Sequence, residues 1–359
     1  MGSTAGAAAR GDAGAQSAAW RRFTAIFGAA ALTLGLAATG FVAFMDPYGL
    51  RAAPGRPAVP LMDSNQRFLY PQIVRGGAYD AAVIGTSTAR LLDPEALGRA
   101  FGGRFANLAM NAATPYEQVQ MARLFLRHAT PHVLLYALDA TWCGADAETR
   151  RFTPRPFPAW LYGPGTPLDP LRQVNWQSLT TAGAVLLHRL GRAPERIRAD
   201  GYAVFTPPET SYDAARAARH IHGGGSVAED AAAPVGSNDA PDAPMPALAW
   251  LDDLLAATPD AVRLVAFMPV HAVVQGRPGT VRGAREAACK ARVAEIGRHR
   301  GATVVDFRVP SPVTRDDSNY WDALHYRLPV ADRIVAGLAA AKERGADDPA
   351  GFYRVLARP

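Results

Sequence analysis

The chain has 359 residues, 49% of them hydrophobic, with two cysteines and a formal net charge of +6. The positive balance is not gathered into a basic block with interleaved aromatics, which argues against nucleic-acid binding and suits an anionic membrane or an acidic glycan. No cysteine–histidine cluster has zinc spacing, so neither a metal nor another cofactor is expected.

Residues 1–22 are small and polar at first and read as a cytoplasmic tail. Residues 23–45 then carry no charge, enough to span a bilayer as a helix of about twenty residues. Arg21 and Arg22 precede the run and Asp46 and Pro47 end it, so the bulk of the chain should lie across the membrane from the tail. The run is longer than a usual signal h-region and has no convincing small-residue cleavage site, which favours an uncleaved anchor. Residues 46–78, with several Pro and Gly, read as a connector.

From residue 79 onward, short apolar runs alternate with amphipathic patterns. Strands are expected at Ala81–Ile84, Phe105–Leu108, Val133–Leu138, Arg263–Phe267 and Thr303–Asp306. Helices are expected at Glu117–His128, Ala247–Ala257, Val281–Arg300 and Val330–Glu343. This alternation predicts an α/β fold, a three-layer αβα, flavodoxin-like parallel sheet with helices on both faces. It breaks over about 144–246, a Pro-rich stretch with a helical piece near Leu179–Leu190, read as an irregular insertion, with 223–246 expected to be mobile. His220 and His222, just before that stretch, read either as substrate or metal contacts or as exposed loop residues. Cys143 and Cys289 could form a disulfide in an oxidising compartment, or remain two buried thiols.

Ligands of open α/β sheets bind beyond the carboxyl ends of the strands. The first strand ends there in Gly85-Thr86-Ser87-Thr88. Gly85 permits a tight turn, and a following helical turn would offer backbone N–H groups to an oxyanion. Near the C-terminus stands Asp322-Ala323-Leu324-His325, and no other histidine has Asp three residues before it. A serine hydroxyl needs a base within reach, an imidazole can serve, and a carboxylate fixes the imidazole's tautomer. Ser87, His325 and Asp322 are therefore the candidate catalytic residues. After the second strand, the Ala109 backbone N–H and the Asn111 amide are candidate oxyanion donors. Asp139 and His271, at the ends of the third and fourth strands, are candidate pocket residues. Glu117 reads as a helix start.

Gly-Thr-Ser near the first strand and Asp-x-x-His near the last resemble the SGNH or GDSL-like hydrolase superfamily. The closer resemblance is to its membrane-anchored bacterial branch, with the periplasmic alginate O-acetyltransferases and the D-alanyl transfer proteins of teichoic acid synthesis. The first block is Gly-Thr-Ser rather than Gly-Asp-Ser, and the third-block Gly-x-Asn-Asp is absent, with Leu138-Asp139-Ala140 in its place. The resemblance implies a single-pass protein of the bacterial inner membrane with a periplasmic domain. It further implies an acyl-ester activity, O-acetyl transfer to or removal from a polysaccharide. The partners it implies are an acylated glycan or acyl donor and a membrane-bound O-acyltransferase. The altered blocks leave a non-catalytic, glycan-binding or assembly role as the alternative.

Overall fold

A computed structural model of the chain describes residues 5–223 and 240–359. In chain order the elements are α1 (Ala5–Met45), α2 (Gln66–Arg75), β1 (Ala81–Ile84), α3 (Pro94–Phe101), β2 (Phe105–Asn107), α4 (Pro115–His128) and β3 (Val133–Leu138). Short helices α5 (Ala159–Tyr162) and α6 (Asp169–Arg172) follow, then α7 (Trp176–Arg189), α8 (Ala214–His222) and α9 (Ala247–Ala256). The chain ends with β4 (Val262–Phe267), α10 (Val281–Arg300), β5 (Thr303–Asp306), α11 (Leu328–Arg344) and β6 (Arg354–Ala357). Two compact units result: one holds α1 with residues 166–194, the other residues 48–165 and 195–359.

In the first unit, Gln16–Met45 of α1 is long and apolar enough to cross a membrane, with a mean hydropathy of 1.9 over an 18-residue stretch of it. The helix runs back to Ala5, so most of the expected tail is helical, as its many alanines favour. Asn175 caps α7 by accepting from Ser178 N at 2.9 Å. α7 packs against the end of α1, and Ala182 and Val185 are fully buried. The segment leading into α7 is different. Leu168, Leu171, Val174 and Trp176 all point outward, Trp176 at 77% exposure.

The second unit is a six-stranded sheet of order β2-β1-β3-β4-β5-β6. The first five strands are parallel and β6 joins antiparallel to β5. β1 and β3 are buried at every position, as strands covered on both faces must be. Ala82 and Ile84 face a core built with α2, α4, α9 and α10. Ala81 and Val83 face another built with α3 and α11. The sheet thus has helical layers on both sides, an α/β architecture in three layers.

Residues 46–78 do more than connect. Within them Leu69 and Tyr70 of α2 are fully buried, and Arg67 makes a buried fork to Glu117, with Nη2–Oε2 at 2.6 Å. Glu117 is also half of a capping box with Thr114 that starts α4. Cys143 and Cys289 are joined in a disulfide that ties the turn after β3 to α10. Of the stretch expected to be mobile, 224–239 lies outside the described residues. Residues 240–246 are held to α10, where Arg285 donates to the Pro244 carbonyl and Arg292 to that of Ala243.

Candidate active site

β1 delivers its chain end into a 3-10 turn, Ser87–Ala89. Gly85 is required at the bend, since a Cβ there would stand 2.9 Å from both the Cβ and the carbonyl oxygen of Ala137 on β3. The turn is fastened from below by Asn107 at the end of β2. This fully buried amide donates to the carbonyls of Ala89 and Leu92, each at 2.9 Å, and accepts from Ala109 N at 3.1 Å. Ser87 opens the turn, where the first N–H groups of a helical segment have no intrahelical acceptor.

The loop before α11 brings His325 to the serine. His325 Nε2 lies 3.0 Å from Ser87 Oγ. His325 Nδ1 lies 2.8 Å from Asp322 Oδ2. Asp322 Oδ1 accepts from the backbone N–H groups of Leu324 at 2.8 Å and His325 at 2.9 Å, so the Asp-x-x-His spacing folds the segment onto its own carboxylate. Burial pushes the Asp322 carboxyl up, but the His325 ring and these N–H groups outweigh it and hold its pKa below the usual range. With Nδ1 committed to a carboxylate, Nε2 is the nitrogen that can take a proton from Ser87. Buried Tyr326 donates its hydroxyl to the Thr88 carbonyl and so locks this loop to the serine turn.

A cleft of about 510 Å³ is lined among others by Arg67, Arg90, Asn111, Arg155, Arg196 and Phe205. Phe205 meets the His325 ring edge-on at 5.4 Å and carries the Arg90 guanidinium 4.7 Å above its face. Arg90 Nη1 donates to Asn111 Oδ1 at 3.1 Å, which orients that amide and leaves its NH₂ group as the donor on the cleft wall.

The structure therefore brings Ser87, His325 and Asp322 together, and places Asn111 on the wall of the cleft that Phe205 also lines. Ala109 is buried and its N–H is already taken by Asn107, so it does not supply the expected oxyanion donor. Asp139 caps the 3-10 turn after β3, accepting from Thr141 N at 2.8 Å. His271 is buried beside Asp317, with Nε2–Oδ1 at 3.0 Å. Burial lowers its pKa, opposed by the Asp317 charge. Asn107, Tyr326, Arg90 and Phe205 were not singled out by sequence reasoning. Asn after a short apolar strand was the only local signal for the first, and Phe205 comes from the irregular insertion.

No protein-family model matches the chain, and no curated protein matches it significantly.

Proposed function

We propose that this protein is a membrane-anchored, SGNH-like acyl-ester enzyme, an O-acetyltransferase or acetylesterase acting on a cell-surface or exported polysaccharide. The observation that carries the reading is the continuous chain from Ser87 Oγ through His325 to Asp322, with contacts of 3.0 and 2.8 Å. In this reading Ser87 Oγ attacks the acyl carbonyl while His325 Nε2 takes its proton. The tetrahedral intermediate collapses, and His325 returns the proton to the departing alcohol. A water or a sugar hydroxyl then attacks the acyl-serine by the same steps in reverse, with His325 again as base. The oxyanion rests on N–H groups of the Ser87 turn and the Asn111 amide, in place of a third-block asparagine. The strand order, with β1 carrying the nucleophile at its carboxyl end, fits the SGNH resemblance.

The α1 span behind Arg21 and Arg22 supports a single-pass anchor in the bacterial inner membrane with the sheet domain in the periplasm. The disulfide suits that oxidising compartment. A membrane-bound O-acyltransferase is the proposed source of acyl groups, and the arginines of the cleft suit an anionic acceptor. One observation favours a second reading, a glycan-binding or assembly role: the end of β3 contributes only the turn-capping Asp139 where the resembled family has its Asn.

The test is turnover of 4-nitrophenyl acetate by the full chain in detergent. Ser87→Ala should lower kcat by about 10³-fold or more, as loss of a nucleophile does. Unchanged turnover sinks the serine mechanism. If turnover is lost, supplying an acetylated donor together with a polysaccharide acceptor and weighing the products separates transfer from hydrolysis.

A further inference from the structure

Three residues outside the Ser87 site converge from three parts of the chain. His222 ends α8, His271 follows β4, and Asp317 opens the 3-10 turn before the Asp322 loop. Their ligand atoms all lie within 4.8 Å of one another. His222 Nε2 is 2.9 Å from Asp317 Oδ2 and His271 Nε2 is 3.0 Å from Asp317 Oδ1. The two imidazoles meet at 89°, edge to face.

The contact of His271 is the informative one. Its ring is 4% exposed, and at 3.0 Å from a carboxylate oxygen Nε2 should be hydrogen-bonded. The two groups are not aligned for a bond, and Nε2 has no hydrogen-bond partner among the described residues. Two ligand atoms that aim at a shared point rather than at each other have this geometry. Around a tetrahedral zinc, ligand atoms stand about 3.3 Å apart, given metal–ligand distances of about 2.0–2.2 Å.

We infer that His222, His271 and Asp317 form a binding site for a borderline divalent transition metal, with zinc the fitting ion. Two imidazoles and one carboxylate are a zinc-type donor set, too poor in oxygen for magnesium or calcium. The side chain of His222 is half exposed, which leaves a fourth position open to water. Ligation through Nε2 requires the His271 proton on Nδ1. The 3.2 Å contact of Val273 N–H with Nδ1 must then give way to an acceptor. The ion would pin α8 to the end of β4 and to the turn that leads into Asp322. The His271 N–H already bonds the Ala323 carbonyl at 2.9 Å, inside the Asp-x-x-His segment. The site is therefore a clamp on the loop that holds the base. His222 and Asp317 lie 95 residues apart in sequence, so no spacing motif could announce it.

The test uses the full chain in detergent, stripped with EDTA and dialysed free of chelator. Zinc chloride is titrated against a chromophoric competitor, and cobalt chloride is added to a second sample. One equivalent of zinc should bind with saturation and raise Tm, magnesium chloride should do neither, and cobalt should give the visible absorption of a four-coordinate N/O site. Because His222 is half exposed, His222→Ala should fold, and it should weaken zinc binding by more than about 10-fold and abolish the rise in Tm. Asp317→Asn should do the same. Absence of saturable zinc binding overturns the inference, as does zinc affinity equal in the parent and in His222→Ala.

Discussion

Removing the Asn107 amide would strand the carbonyls of Ala89 and Leu92, which it bridges in a fully buried setting. A buried polar group left without its partner costs about 1–3 kcal/mol. Asn107→Ala should therefore lower stability by at least that much, read by urea unfolding, and also lower acyl turnover because the Ser87 turn is released. A loss of stability below about 0.5 kcal/mol would mean that the turn stands without it. Asp306 gives a pH prediction. Burial pushes its carboxyl from the usual 3.8 up to about 6, against the pull of Lys290 3.0 Å away. Between those values the folded chain holds a proton that the unfolded chain has released, so stability falls as pH rises from 3.8 to about 6 and levels off above. Asp306→Asn should flatten that segment of the stability–pH curve, and a slope that persists would assign it to another group. Ser87, Asp322 and His325 were legible in the sequence because each sits in a short motif whose chemistry is local. Asn107 and Tyr326 were not, because what they do depends on which carbonyl the fold sets opposite them.

Cross-linking of the turn after β3 to α10 closes a loop of 146 residues. Loops of that length gain about 3–5 kcal/mol from a disulfide through the reduced entropy of the unfolded chain. Cys143→Ala with Cys289→Ala should lose stability in that range by denaturant unfolding under non-reducing conditions. The segment before α7 carries a second consequence. Its exposed Leu171 and Val174, with Trp176 at the start of α7, share a unit with α1, and Val174 and Trp176 line a crevice with Ala38, Thr39 and Val42, inside the apolar span. If that span crosses a bilayer, Trp176 lies at the depth of Thr39 and enters the lipid. Brominated acyl chains should quench part of the tryptophan emission of the nanodisc-embedded chain, and Trp176→Phe should shrink that part. Equal quenching in both would place the segment in water. The five parallel strands were readable because each carries a short apolar stretch, with the polar Asn107, Arg263, Thr303 and Asp306 at or near strand ends. β6 was not, since Arg354–Ala357 is short, only partly buried and supported by pairing with β5 alone. α2 was hidden by Pro71 and by a mixed composition whose buried Arg67 makes sense only opposite Glu117.

Across the whole molecule, the site draws on parts of the chain that sequence reasoning kept separate. Ser87 comes with the first strand and His325 with the loop before α11, while Phe205, Arg155 and Arg196 of the cleft come from the irregular insertion. Residues 195–211 of that insertion, which belong to the sheet unit, are bound within it by specific contacts. Gly201, with φ of +84°, packs so close to the Asn107 carbonyl that a Cβ would lie 2.2 Å from its oxygen. Glu209 accepts from Arg327 Nε at 2.7 Å and from Leu328 N at 3.2 Å, at the start of α11. Outside its helical piece near Leu179–Leu190 the insertion shows no apolar period, so its sequence carries no sign of these partners. The central claim, that Ser87 is a nucleophile activated by His325 and Asp322, is tested most directly with a fluorophosphonate probe. The probe needs only an activated serine and no knowledge of the natural acyl donor. The full chain should be labelled at Ser87, located by peptide mass, and Ser87→Ala and His325→Ala should both lose the label. An unlabelled parent chain, or a label on another residue that persists in Ser87→Ala, would contradict the account.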